Sequence, residues 1–176
     1  PFNRFFTLKV GSASHWLLLG RVDDPAIGGT KADEDQALLE IELDAQGNMH
    51  AQTVLAKESD VLFDGSSVDF LNTAKHGNAI NALGQALYVV DTNSPPQVDF
   101  IVMLDGVPIA QEGFASPWPE TWDSLQGIEV DLNESGDYVF TGTLLADDAI
   151  DEVIVKDGSA FRREGDAVPG LDGRTF

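Results

Sequence analysis

The stretch "NESGDYVFTGTL", residues 133–144, follows "NALGQALYVVDT", residues 81–92, at an interval of 52 residues. Asn81, Gly84, Leu87 and Tyr88 fall on Asn133, Gly136, Val139 and Phe140. The interval persists downstream without a gap: Asp105 and Gly106 meet Asp157 and Gly158, Glu112 and Gly113 meet Glu164 and Gly165, and Pro117 meets Pro169. A fixed spacing kept across separate landmarks is the mark of an internal repeat, and it governs how every local motif is read. A more diverged copy lies upstream, where "VLAKESDVLFDGSSVDF" (54–70) aligns at an interval of 106 with "AFRREGDAVPGLDGRTF" (160–176). There Lys57, Glu58, Asp60 and Phe70 meet Arg163, Glu164, Asp166 and Phe176. At its start "GSASHWLLLGRV" (11–22) takes the place of "NESGDYVFTGTL", with Gly11 and Ser14 replacing the Asn and Gly. Three units result, 1–70, 71–124 and 125–176. Phe176 closes the third where Phe70 closes the first, so the two ends are equivalent points of one cycle.

Within a unit, short apolar segments are cut by Gly, Asn and Asp, which predicts strands joined by turns. In the third unit "IEVDL", "YVFTGTL", "EVIVKDG" and "AFRREG" read as strands; in the second, "NAIN", "ALYVVDT", "DFIVML" and "PIAQE" hold the same places. Asn-x-x-Gly joins the first two strands, since both residues accept left-handed backbone angles. Asp-Gly joins the last two as a type I′ hairpin. The one helical candidate is a single turn at "PETWDSL" (119–125). Four antiparallel strands in about 50 residues is the size of a propeller blade. The expected fold is therefore all-β, with three tandem four-stranded antiparallel repeats forming β-propeller-like blades. A closed propeller takes roughly four to eight blades, so three imply a fragment, a ring or filament completed by other chains, or an open stack.

Thirty acidic residues against ten basic ones give a net charge of −20, which repels nucleic acid and anionic membrane surfaces. With 43% hydrophobic residues the chain is still expected to fold. The same charge attracts cations, so Ca²⁺ is a possible ligand. The sequence has no cysteine, which excludes disulfides, thiolate catalysis and Cys-based metal centres. No apolar run reaches the length of a membrane span, and the chain opens with Pro1 rather than a charged, then apolar, leader. A sequence without an initiator Met is expected to be a processed or excised piece.

The segments "NESGDYVF" and "REGDAVPGLDGRTF", with "NALGQALY" and "KESDVLFDGSSVDF", resemble the bacterial tandem-repeat proteins named for an NxxGxxAF motif, whose C-terminal anchors vary. The resemblance covers most of residues 54–176. It implies export to the bacterial cell surface or beyond and a β-rich repeat fold, and it brings no catalytic activity. The first unit departs from the pattern, and no anchor is present in the sequence.

Several residues compete for chemical roles. The repeated acids Glu58, Glu112 and Glu164 would form a carboxylate ring if gathered about an axis; otherwise they cap turns or pair with Lys57, Arg162 and Arg163. Catalysis needs one asymmetric constellation, which favours the structural role for groups that recur in every unit. "DLNESGD" (131–137) offers Asp131, Asn133, Ser135 and Asp137 at the alternating spacing of a calcium loop, but Gly142 stands where an EF-hand has its bidentate acid. It also contains an Asn-Glu-Ser sequon. "SPWPETW" (116–122) sets Trp118 and Trp122 where Gly170 and Arg174 stand in the third unit; they either stack on sugars or cover the seam between blades. The acidic stretches "RVDDPAIGGTKADEDQ" (21–36) and "LADDAID" (145–151) read as solvated loops that a cation or basic partner would order. Phe2, Phe5 and Phe6 read as a core contribution or an edge awaiting another subunit. His15, His50 and His76 lack ligand spacing, and neither a Gly-x-Ser-x-Gly elbow nor a phosphate-binding glycine loop occurs.

The sequence thus predicts a non-enzymatic extracellular structural or adhesive repeat protein. It would assemble through blade-to-blade or head-to-tail contacts with its own copies or with further repeats of a longer parent chain. The alternative is a carbohydrate- or ligand-binding β-propeller module centred on Trp118 and Trp122. A hydrolase using the acidic loops would need a cleft joining two nonequivalent carboxylates.

Overall fold

The computed structural model describes residues 2–22, 36–71, 77–171 and 174–176. Most of the acidic stretch 21–36, together with His76 and the side chains of Phe2 and Phe5, lies outside the described residues. Among those described, the chain is all-β, with fourteen strands in three antiparallel sheets and no helix.

Sheet 1 has the order β1 (Phe2–Val10), β2 (His15–Val22), β3 (Gln36–Leu43), β4 (Met49–Lys57). In sheet 2, β5 (Val68–Leu71) and β6 (Asn78–Ile80) lie end to end along β7 (Ala86–Thr92), followed by β8 (Phe100–Leu104) and β9 (Val107–Gln111). Sheet 3 repeats this with β10 (Trp122–Ser124) and β11 (Val130–Leu132) along β12 (Tyr138–Leu144), then β13 (Glu152–Lys156) and β14 (Ser159–Arg163). The sheets are separate and open, and no ring or barrel closes among the described residues.

Strands β7 and β12 coincide with "ALYVVDT" and "YVFTGTL". The Asp-Gly hairpins form as predicted: Asp105 and Asp157 both have φ of 49°, Gly106 has 78° and Gly158 73°, the paired positive angles of a type I′ turn. The helical turn at "PETWDSL" does not form; Trp122–Ser124 extends as β10. A single isolated turn cannot repay its nucleation cost, whereas the extended form gains a ladder with β12 and buries Trp122.

Sequence units and sheets are out of phase by one short strand. After each sheet's last strand the chain makes a small loop closed by a bridge, Val61 with Ser67 or Ala115 with Thr121, and then enters the next sheet. β5 therefore spans the 70/71 boundary and belongs to sheet 2, and β10, inside the second unit, belongs to sheet 3. Register makes the handover comparable: Val68 pairs with Thr92 and Trp122 with Leu144, as Phe2 pairs with Val22 in sheet 1. Phe176 makes the same backbone bonds as Val68 and Trp122, so it corresponds to them and not to Phe70, and Arg174 is not the counterpart of Trp122; the loop bridged by Ala167 and Thr175 is two residues longer than the loops before it.

Each sheet turns one face, here its front, toward the sheet that follows, and the other, its back, toward the sheet before. Leu17, Leu19, Leu38 and Ala56 on the front of sheet 1 meet Tyr88, Val90, Ile101 and Met103 on the back of sheet 2. Leu87, Val89, Phe100 and Val102 on the front of sheet 2 meet Trp122, Phe140, Val153 and Val155 on the back of sheet 3. Sheet 2 is covered on both faces, which is why "ALYVV" is apolar without alternation while "YVFTGTL" alternates buried and part-exposed residues.

Candidate functional site

The repeated polar residues gather at the two seams between sheets. Asn81 does not adopt a left-handed conformation; its side chain holds the turn instead. Its Oδ1 accepts the N–H groups of Leu83 and Gln85, each at 3.0 Å, and its Nδ2 donates across the seam to the carbonyl of Asn133 at 2.9 Å. Asn133 closes the equivalent turn through the N–H groups of Ser135 and Asp137. The motif glycines answer both the turn and the neighbouring sheet. Gly84 has φ of 80°, and a Cβ there would stand 2.5 Å from Glu40 Oε1 and 3.0 Å from His15 Nδ1. At Gly136 the same role falls to Gln85, whose Oε1 would lie 2.8 Å from a Cβ. In the first unit Gly11 N–H bonds the His15 carbonyl as Asn81 N–H bonds that of Gln85, so the turn survives without the Asn and Gly.

The repeated acids stand one per sheet, at the turn after its last strand. Glu58 and Glu112 are buried and Glu164 is partly exposed. Glu112 receives two backbone N–H groups: Leu125, from the next sheet, at 2.6 Å, and Phe100, from its own, at 3.4 Å. In the first seam the corresponding N–H, of Leu71, goes to Oε1 of Gln36 at 3.0 Å. Burial pushes the Glu112 carboxyl up to about 7, with Asp99 adding a hydrogen bond and charge in the same direction against the pull of the two N–H groups. Asp91 nearby is raised to about 6 by burial, then by Asp99 and Asp69. Arg163, offered by the sequence as a partner for the repeated acid, pairs instead with Glu120 at 3.0 Å.

The other candidates are distributed as follows. Trp122 is 2% exposed and packs against Phe140 with ring centroids 5.7 Å apart, so its ring is unavailable to a sugar. Trp118 is half-buried against the same core, its backbone N–H donating to Ser116 Oγ at 3.0 Å. Both cover the seam between sheets 2 and 3. Within 131–137, Asn133 Oδ1 is taken by the turn, Asp131 Oδ1 by the N–H of Leu132, and Asp137 Oδ2 by Asn133 Nδ2. Among the described residues no group of three or more His, Asp or Glu is placed to hold a metal ion. In 145–151, Asp147 Oδ1 caps the N–H of Ala149.

Sequence reasoning missed His15, Glu40, Gln36, Gln85 and Asp99. His15 and Gln85 follow the turn's fourth position in their units, which was a usable signal; the others are fixed only by sheet packing.

Two surfaces remain. On the back of sheet 1, Leu8, Val10, Met49 and Val54 are each more than half exposed and Trp16 and Leu18 partly exposed, while Ala37 and Leu39 on the same face are buried. At the other end, the front of sheet 3 carries a groove of about 650 Å³ whose lining includes the charged Glu129, Glu152, Arg162, Arg163 and Glu164 beside Ile154 and Phe176. No helix of the described residues is long and apolar enough to cross a membrane. The chain matches no protein-family model, no curated protein and no solved structure. The resemblance to the NxxGxxAF proteins accordingly rests on the motif residues.

Proposed function

We propose that this chain is a structural or adhesive module of a bacterial extracellular assembly, made of three tandem four-stranded repeats that act as propeller-like blades stacked front to back. One observation carries the reading: the same front-to-back packing joins sheets 1 and 2 and sheets 2 and 3, and it leaves exposed apolar side chains on the back of sheet 1 and a groove on the front of sheet 3. A repeat array presents such unsatisfied ends to whatever continues it. The partners are accordingly further blades, from other copies or from a longer parent chain. The extracellular and bacterial parts of the proposal come from the motif resemblance. Carbohydrate recognition through the tryptophan pair is not favoured, because Trp122 lies in the core.

The test is the mass of the natural material by light scattering, with negative-stain electron microscopy, before and after calcium chelation. Multimers or filaments are expected. A strictly monomeric natural protein overturns the reading, and dispersal of multimers on chelation would place cations at the contacts.

A further inference from the structure

We propose that β4 of sheet 1 pairs edge to edge with β4 of a second copy, antiparallel about a two-fold axis at Gln52, joining the two first sheets into one of eight strands. The contact is made by a strand inside the chain and runs in the plane of the sheet, so it stands apart from the front-to-back stacking proposed above.

β4 is the last strand in the order of sheet 1. Its first six residues, 49–54, are exposed without interruption, whereas a strand with one packed face alternates. Strand length explains this: β3 and β4 have eight and nine residues where β8 and β9 have five each, so the β3–β4 hairpin runs past the stack. Its tip is held by the Asp44 N–H on the Asn48 carbonyl and by two backbone N–H groups, of Gln46 and Asn48, on Asp44 Oδ1. The ladder fixes where the free backbone groups point. Leu43 N–H goes to the Ser14 carbonyl, so Leu43 and Ile41 turn their backbone toward β2, while Glu42 and Glu40 turn theirs toward Ala51 and Thr53 of β4. Gln52 and Val54, which alternate with these, turn theirs to the open edge.

The other edges of the described sheets are each protected. β9 contains Pro108, β14 carries Arg162 and Arg163 beside a register shift, and β1 has Lys9 and two register shifts. The edges opposite β9 and β14 are broken into strands of three or four residues. Prolines, cations, bulges and short strands are the devices that keep sheet edges from pairing. The stretch "MHAQTV" (49–54) has no proline, lysine, arginine or acid, and its register against β3 is unbroken over 51–54. In a chain carrying −20, such a neutral strand is where two copies can meet without repulsion. The nearest paired acids, Glu40 and Glu42, stand one strand back on β3. Across the axis they lie three strand spacings, roughly 14 Å, from those of the other copy, beyond the screening length of about 10 Å. An axis at Gln52 uses the whole exposed run, with Gln52 opposite itself and Val54 opposite His50 of the other copy. The contact is isologous and closes as a dimer.

The chain has no cysteine, so a single introduced thiol reports the contact. In the intact chain, Gln52→Cys sets two Cα atoms about 5.5 Å apart across the axis, within disulfide reach. It should oxidise to a covalent dimer, while Gln46→Cys at the tip of the same hairpin should not. Gln52→Pro removes the outward N–H and leaves the bonds to β3 in place. It should weaken dimerisation, measured by light scattering across concentration and salt, at least about tenfold, because both ladder bonds at the axis are lost. If Gln52→Pro loses its cooperative thermal transition, Gln52→Lys replaces it, setting like charges directly opposite each other. An unaltered chain that stays monomeric at every salt concentration leaves the edge to a strand of another protein and overturns the inference. Multimers that persist in Gln52→Pro or Gln52→Lys, with Gln52→Cys cross-linking no faster than Gln46→Cys, overturn it as well and leave the stacking reading standing.

Discussion

Glu112 Oε1 accepts the backbone N–H of Leu125 at 2.6 Å, so the last turn of sheet 2 is fastened to the residue that follows the first strand of sheet 3 by one buried carboxyl group. Glu112 is thus a clasp between consecutive sheets, a place that Gln36 takes in the first seam, where it accepts the N–H of Leu71.

The clasp makes stability depend on pH. The folded-state value of Glu112 is raised from 4.5 to about 7, chiefly by burial. The folded protein therefore holds more protons than the unfolded chain between those values, and stability falls as pH rises through that window. Asp91, raised to about 6, adds in the same direction. The Glu112 share is on the order of 2 kcal/mol. Urea midpoints are expected to decline from pH 5 to pH 8, and Glu112→Gln to flatten that decline; an equally steep profile in the variant would refute the assignment.

Gly84 and Gly47 separate backbone cost from seam cost. Both have φ near 80°, but a Cβ at Gly47 meets nothing within 4 Å, whereas at Gly84 it collides with the His15–Glu40 pair. Gly47→Ala should cost about 1–2 kcal/mol. Gly84→Ala should cost about 1 kcal/mol more, from overpacking at the seam. Chemical denaturation of the two variants compares them directly.

Trp122 rests on Gly142, where a Cβ would lie 2.6 Å from the indole Cζ3. Trp122→Ala is expected to destabilise by about 3–5 kcal/mol through the cavity it leaves. Gly142→Ala alone should cost about 1–3 kcal/mol by overpacking. In the Trp122→Ala background that second cost should largely vanish, a coupling that a double-mutant cycle measures.

Tyr88 O–H donates across the first seam to the Leu55 carbonyl at 3.3 Å, and burial raises its ionisation to about 12. With the folded value above the unfolded one, this group's stabilisation is present below pH 10 and is lost as pH climbs toward 12. Tyr88→Phe should cost about 1 kcal/mol. It should also remove the later of the two tyrosine ionisations seen by ultraviolet absorbance on alkaline titration.

The sequence by itself determined the all-β class, the strands around "ALYVVDT" and "YVFTGTL", and the Asp-Gly hairpins, because a two-residue period and turn chemistry are local properties that a repeat displays twice. Tertiary structure alone decided that Val68–Leu71 and Trp122–Ser124 join the following sheet, since strand partnership depends on what each segment meets in space. It likewise decided that Trp122 is core, that Glu112 bonds Leu125, and that Gly84 lies beneath His15 and Glu40. The acidic and aromatic residues carry no mark in the sequence of which seam they enter; burial assigns their roles, by taking water away and leaving a neighbouring sheet's N–H or ring as the only partner within reach.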